Sequence, residues 1–200
     1  MANKDKVFKV YEIIAEWFDE HRSRELFEKP YLDTIIKYLA PKATILDLGC
    51  GMGEPIAQYF IAQGFEVTGV DGSEKLIALA QQRLPSAKFL VGDMRKIQFG
   101  QKFDCIIAWH SFFHLSADDQ RKMFPIFVSH LNLGGILAFT SGPSAGEVWS
   151  MNGGQNLYHA SLDLDEYQTL LAQHGFDLLF HALQDSECGD ATIWIAYLKN

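Results

Sequence analysis

The spacing of apolar positions changes several times along the chain, and each change marks an element. Val7, Val10, Ile13, Ile14, Trp17 and Phe18 recur every three to four residues, which predicts an amphipathic helix from residue 5 to about 27 with charged residues on its other face. A second helix is expected from Pro30 to Leu39, with Pro30 in its first turn and Pro41 stopping it. Thr44 to Leu48 is then a short apolar, β-compatible run that leads into Gly49-Cys50-Gly51-Met52-Gly53-Glu54-Pro55. Beyond Pro55 the positions Ile56, Ala57, Tyr59, Phe60 and Ile61 are helical, and Gly64 suits the C-terminal cap.

The alternation continues. Strands are predicted at Phe65 to Val70, Ala87 to Val91, Phe103 to Trp109 and Ile136 to Thr140. Between them run a helix capped by Ser73 as far as Arg83 and one capped by Ser116 as far as Leu131, closed by Asn132-Leu133-Gly134-Gly135. Ser141 to Leu162 breaks the pattern and is expected to be a long loop over a substrate. Asp163 caps a last helix to about His174, and Phe176 to Ala182 and Ala191 to Leu198 read as strands. The connection between these two is too short for a crossover helix, so they must be antiparallel neighbours. Strands alternating with helices predict a doubly wound α/β architecture with a mostly parallel sheet. At 200 residues and 48% hydrophobic content one domain is expected, with residues 1–40 as an N-terminal helical cap.

Charge and cysteine content remove several classes of function. A net charge of −8 gives no general attraction to nucleic acid or anionic lipid. No apolar run reaches the roughly 18 residues that span a bilayer, and the start lacks the apolar core of a signal peptide, so a cytoplasmic protein is expected. Cys50, Cys105 and Cys188 are odd in number without CxxC spacing, which suggests neither a disulfide frame nor a thiolate metal site. Cys105 reads as strand core and Cys50 as a small residue in the glycine turn.

That turn carries the chemistry. A strand turning sharply into a helix aims free backbone N–H groups and the positive end of a helix dipole at a ligand above the strand's carboxyl end. The pyrophosphate-binding spacing G-x-G-x-x-G would need glycine at position 54, where Glu54 would repel a diphosphate, so a nicotinamide dinucleotide is disfavoured. Asp71 lies 18 positions beyond Gly53 at the tip of the second strand, where a carboxylate accepts hydrogen bonds from ribose hydroxyls. Together these favour an adenosine ligand without pyrophosphate.

On these residues the chain resembles the class I S-adenosylmethionine-dependent methyltransferases over about residues 44–200. Ile45-Leu46-Asp47-Leu48-Gly49-Cys50-Gly51-Met52-Gly53 is similar to that family's first motif, Val67-Thr68-Gly69-Val70-Asp71-Gly72-Ser73 to its second, and Gly92-Asp93-Met94 to its adenine-contacting segment. Leu131-Asn132-Leu133-Gly134-Gly135 is similar to the element before its fifth strand. The resemblance implies a seven-stranded sheet with an antiparallel C-terminal strand and S-adenosylmethionine as cofactor, leaving S-adenosylhomocysteine as product. It implies that Asp47, Gly49, Cys50 and Gly51 lie near the methionine part, Asp71 and Gly72 near the ribose, and Asp93 and Met94 near the adenine. Trp109 and His110 follow the fourth strand over the expected methyl group. The cationic sulfonium and ammonium suit a carboxylate such as Asp47 or Glu54 beside the turn.

The acceptor side is less marked in sequence. His114 is a candidate base poised near neutral pH, Tyr158 and His159 occupy the late segment, and Tyr11 and Trp17 could cap the pocket. Ala108-Trp109-His110-Ser111 is unlike the Asn/Asp-Pro-Pro-aromatic motif of methyltransferases acting on nucleic-acid amino groups, and no carboxylate follows that strand to hold a metal. A small-molecule acceptor is the expectation, with no metal, no membrane and no nucleic acid, in a monomer or homodimer. A protein that kept the fold and the cofactor but acts as a regulator or partner subunit is the alternative.

Overall fold

A computed structural model describes residues 4–199. Its main sheet has seven strands: β1 (Thr44–Leu48), β2 (Glu66–Asp71), β3 (Lys88–Val91), β4 (Phe103–Ala108), β5 (Leu131–Ser141), β8 (Phe176–Asp185) and β9 (Ala191–Leu198). The order across it is β3-β2-β1-β4-β5-β9-β8, and β9 runs antiparallel to both its neighbours while the β3-to-β5 pairings are parallel. The strand order reverses between β1 and β4, the position at which open α/β sheets leave a crevice above the carboxyl ends. Leu48 pairs with Val70, and Asp47 with Ile107, so the turns leaving β1, β2 and β4 emerge side by side.

Both faces of the sheet are covered. Ile45, Cys105, Ile107 and Ile195 pack against Leu32 and Ile35 of α2 (Lys29–Ile36), Phe60 of α3 (Ile56–Ala62) and Ile77 of α4 (Glu74–Arg83). Leu46, Ile106, Phe139 and Trp194 meet Phe124 and Phe127 of α5 (Ala117–His130) and Tyr167 of α6 (Leu164–Gln173). The first helix, α1 (Val7–His21), packs instead against a separate two-stranded sheet through Val7, Ile14, Leu157 and Tyr158. Among the described residues no helix is long and apolar enough to cross a membrane.

Three expectations are corrected. The segment 141–162 is not a loop: it forms the hairpin of β6 (Gly146–Asn152) and β7 (Gln155–Ser161). Gly153 and Gly154, both at positive φ, make its two-residue turn, the geometry whose twist matches flanking strands. The first helix stops at His21, because Arg22 is extended and its N–H returns to the Phe18 carbonyl; Ile13 is 64% exposed rather than part of a buried face. The fifth strand begins at Leu131, which is fully buried and pairs with Phe103 across a register shift before Gly134 and Gly135.

Ser73 joins local capping to tertiary structure. It is fully buried, its Oγ accepts from the Leu76 N–H, and its hydroxyl donates to Glu12 Oε2 of α1 at 2.6 Å. Ser73→Ala is expected to lower stability by about 1–2 kcal/mol. In urea unfolding the midpoint should fall with an unchanged slope, whereas Ile13→Ser should change stability by less than about 0.5 kcal/mol.

Candidate functional site

The glycine turn is built by two close approaches. Gly49 has φ of +77°, and its N–H bonds to the Val70 carbonyl at 2.7 Å, which holds the turn against β2. A Cβ at Gly49 would collide with the Cβ of Ser111, and Ser111 Oγ donates to the Leu48 carbonyl at 2.6 Å. The turn after β1 and the turn after β4 are therefore interlocked, which only glycine permits.

Two carboxylates sit beside this turn. Asp71 accepts from the Gly51 N–H at 3.0 Å and from the Ser73 N–H at 2.9 Å, one on each oxygen. A carboxylate offers about four lone-pair sites, so about two remain for a ligand. Burial raises its pKa, and the backbone N–H groups of Ser73, Gly51 and Gly72 oppose that shift. Asp47 is 5% exposed, and burial, followed by the charge of Asp71, pushes its pKa up to about 7.

Two cavities open above these groups. The first, of about 110 Å³, is bordered by Phe8, Asp71, Gly72, Asp93, Met94 and Leu115. The second, of about 180 Å³, is bordered by Arg22, Asp47, Cys50, Trp109, Asn152 and His159. They share Tyr11, Phe18, Gly49, Gly51, His110 and His114, so the glycine turn forms the neck between them.

The histidines have distinct roles at this neck. The Nδ1 of His114 lies 2.8 Å from the Tyr158 carbonyl, an acceptor only, so Nδ1 carries the proton and Nε2 accepts from the Tyr11 hydroxyl at 2.9 Å. Burial pushes its pKa down to about 3. A base poised near neutral pH was the expectation at His114; its lone pair is instead committed, and it holds Tyr11 in place. His110 has φ of +50°, an unusual conformation for a residue with a side chain, and its N–H donates to Thr140 Oγ1 at 2.8 Å. Burial, then Arg22, lowers its pKa to about 4. His159, on β7, has a long 3.5 Å contact from Nδ1 to Ser150 Oγ and a pKa lowered by burial.

Other sequence candidates lie in different surroundings. Tyr158 is fully buried between the hairpin and α1, and it borders neither cavity. Asp93 borders the first cavity with both oxygens bonded to Arg95, at 2.8 and 2.7 Å, which holds its pKa low. Glu54 does not stand open to a cationic ligand: it accepts from Arg24 at 3.2 Å and Arg83 at 3.1 Å, and Arg83 also grips Asp19 through two 2.7 Å bonds. Trp17 packs on His21 and borders neither cavity. Phe8, Arg22, Ser111 and Asn152 border the cavities without having been singled out in the sequence. A register argument on α1 could have found Phe8, which lies one turn before Tyr11; nothing local marks Arg22.

The family described as Methyltransferase domain matches residues 45–135, from β1 into β5. The matched stretch carries the glycine turn, Asp71, Asp93 and Trp109. A trans-aconitate 2-methyltransferase of Escherichia coli O139:H28 (strain E24377A / ETEC) is 39% identical over 127 residues, covering 60% of this chain and 46% of that protein. A dTDP-3-amino-3,4,6-trideoxy-alpha-D-glucopyranose N,N-dimethyltransferase of Streptomyces venezuelae is 27% identical over 106 residues, covering 52% of this chain and 44% of that protein. The chain thus spans less than half the length of these two relatives. Among solved structures, the magnesium protoporphyrin IX methyltransferase ChlM from Synechocystis PCC 6803 with bound SAM superposes with a TM-score of 0.73 at 18% identity, over 100% of this chain and 99% of that one. The doubly wound sheet with its antiparallel last strand is accordingly the class I methyltransferase fold.

Neutral histidines make a testable signature of this site. With pKa values of about 4 and 3, His110 and His114 stay uncharged from pH 5 to 9, and nuclear magnetic resonance should show neither ring titrating there. Both native pKa values lie below the ordinary value of about 6.5, so the unfolded chain binds protons first and stability falls as pH drops below 6.5. The urea midpoint should decrease between pH 7 and pH 5, by less in His114→Gln.

Proposed function

We propose that the protein is an S-adenosylmethionine-dependent methyltransferase whose cofactor lies along the first cavity and reaches through the neck toward Asp47, and whose small-molecule acceptor enters the second. The observation that carries this reading is the pair of cavities meeting at one neck over the Gly49 turn. The two relatives described above, both named for small-molecule acceptors, support the same reading. When bound, the cofactor supplies a methyl carbon activated by its sulfonium.

The chain's own residues then bind and orient. The remaining lone pairs of Asp71 accept the ribose hydroxyls, Met94 and Leu115 flank the base, and Asp93, held by Arg95, presents its edge to the adenine amino group. Asp47 stands beside Gly49 and Gly51 where the cofactor's cationic groups lie, with Cys50 filling the turn. Trp109 and His110 wall the neck, and the Tyr11–His114 pair seals it against water. In-line displacement needs the acceptor atom near about 3 Å from the methyl carbon, so these walls act mainly by orientation. His159 keeps a neutral ring in the second cavity and takes the acceptor's proton where the nucleophile is an O–H or N–H.

Calorimetry is the first test. Both S-adenosylmethionine and S-adenosylhomocysteine should bind, and Asp71→Ala should weaken each by about tenfold or more; absence of binding to the unmodified chain would overturn the proposal. A nearby cation favours ionised Asp47, lowering its pKa from about 7, so binding at pH 6 should release a proton. Titrations in two buffers of different ionisation enthalpy should detect the release, and Asp47→Asn should abolish it. Once an acceptor is found, His159→Gln should lower kcat at least tenfold while leaving S-adenosylhomocysteine affinity within about twofold.

A further inference from the structure

We propose that the second cavity selects an acceptor carrying a carboxylate, held by the guanidinium of Arg22 and the indole N–H of Trp109. This rests on the methyltransferase reading only in naming the occupant as the acceptor; the anion site itself is argued from the cavity's own groups.

Arg22 leaves α1 with an extended backbone and reaches the cavity wall. Among the described residues its side chain makes one hydrogen bond, from Nη2 to Glu28 Oε1 at 3.4 Å, at the long end of the useful range. A guanidinium has five N–H donors in a planar fork matched to a carboxylate, so most of that fork is uncommitted. Trp109 supplies the second, independent observation. Trp109 borders the same cavity, is 3% exposed, and its Nε1 is buried without a hydrogen-bond partner among the described residues. An indole N–H only donates, and buried donors are almost always paired, so this one calls for an acceptor atom from a ligand.

The surrounding charges agree. Of the two carboxylates bordering the cavity, burial raises the pKa of Asp47 to about 7, which lowers its negative charge, and Glu54 is paired with Arg24 and Arg83. Burial lowers the pKa of both His110 and His159, and among the described residues lining the cavity Arg22 is the arginine or lysine. Glu28, which holds one N–H of Arg22, does not border the space. An ammonium-bearing acceptor would face Arg22 unfavourably. The walls contributed by Phe18 and Phe113 accept the apolar body of a small acid. The carboxylate of the cofactor's amino-acid part has the same chemistry, and the experiment must separate the two sources.

The chain labelled with ¹⁵N-tryptophan and saturated with S-adenosylhomocysteine, which brings the cofactor's own carboxylate, is titrated with benzoate and succinate and with benzamide and succinamide. Trp109→Phe identifies the Trp109 indole signal. The expected result is a saturable shift of that signal with the acids, at least tenfold weaker with the amides. Arg22→Met should weaken benzoate binding at least tenfold while S-adenosylhomocysteine affinity stays within about twofold. Arg22→Lys, which keeps the charge beside Glu28 and so the fold, should give an intermediate loss. Equal binding of acids and amides, or no shift with either, overturns the proposal. So does an Arg22→Met chain that loses S-adenosylhomocysteine affinity and keeps benzoate, which would give Arg22 to the cofactor. Failure of S-adenosylhomocysteine to bind the unmodified chain would remove the methyltransferase reading alone, since the same titration on the free chain still reads the carboxylate site.

Discussion

The absence of a Cβ at Gly49 is the constraint on which the rest of the site depends. Two strands, β1 and β4, end side by side, and their exit turns must cross the same few ångströms of space above the sheet. Gly49 at positive φ lets Ser111 sit against its Cα, and the Ser111 hydroxyl then satisfies the carbonyl of Leu48 that the turn would otherwise strand. From this follow the exposure of the Gly51 N–H to Asp71, the position of Trp109 and His110 directly over the turn, and the neck joining the two cavities. A larger residue at position 49 would separate the two turns, and the cavities would lose their common wall.

The other half of the site is held by charge. Glu12 of α1 accepts from the Ser73 hydroxyl and the Lys75 N–H at the start of α4, while Asp19, Arg83, Arg24 and Glu54 form a network joining the end of α1 to the end of α4 and to the glycine turn. Isolated surface ion pairs contribute little, but the bidentate Arg83–Asp19 contact and the shared partners make a network with fixed geometry. It sets where Tyr11, Phe18 and Arg22 stand. The apolar contacts of α1 are mainly with the hairpin rather than with the main sheet, so its tie to α4 and the glycine turn runs through these polar and charged groups.

What could be read from the sequence divides along the same line. Caps at Ser73, Ser116 and Asp163 and the glycines at 64 and 175 are local signals, and the helices they bound were legible to within a residue or so. The antiparallel closing pair followed from a short connection. The polar, glycine-containing composition of 146–161 hides its alternation and predicts a loop, although Gly153-Gly154 between two seven-residue runs is a clue to the hairpin. Glu54 was legible as an obstacle to diphosphate and illegible as an ion-pair hub, since Arg24 and Arg83 meet it only after α1 has docked. The commitment of the His114 lone pair was hidden for the same reason: its two partners, Tyr11 and Tyr158, lie 103 and 44 residues away.

The two halves of the site are therefore specified by different kinds of interaction. Around the first cavity, backbone N–H groups of Gly51 and Ser73 orient Asp71, and backbone geometry is insensitive to most side-chain substitutions. Around the second, Tyr11 comes from α1, Arg22 from the residue that follows it and His159 from β7, all outside the main sheet, and their mutual placement depends on side-chain packing and ion pairs. Substitution in α1 or the hairpin can reshape the second cavity without disturbing the first. On the proposed reading, a fold built this way holds its methyl donor by the sheet and lets the choice of acceptor vary with the two elements laid over it.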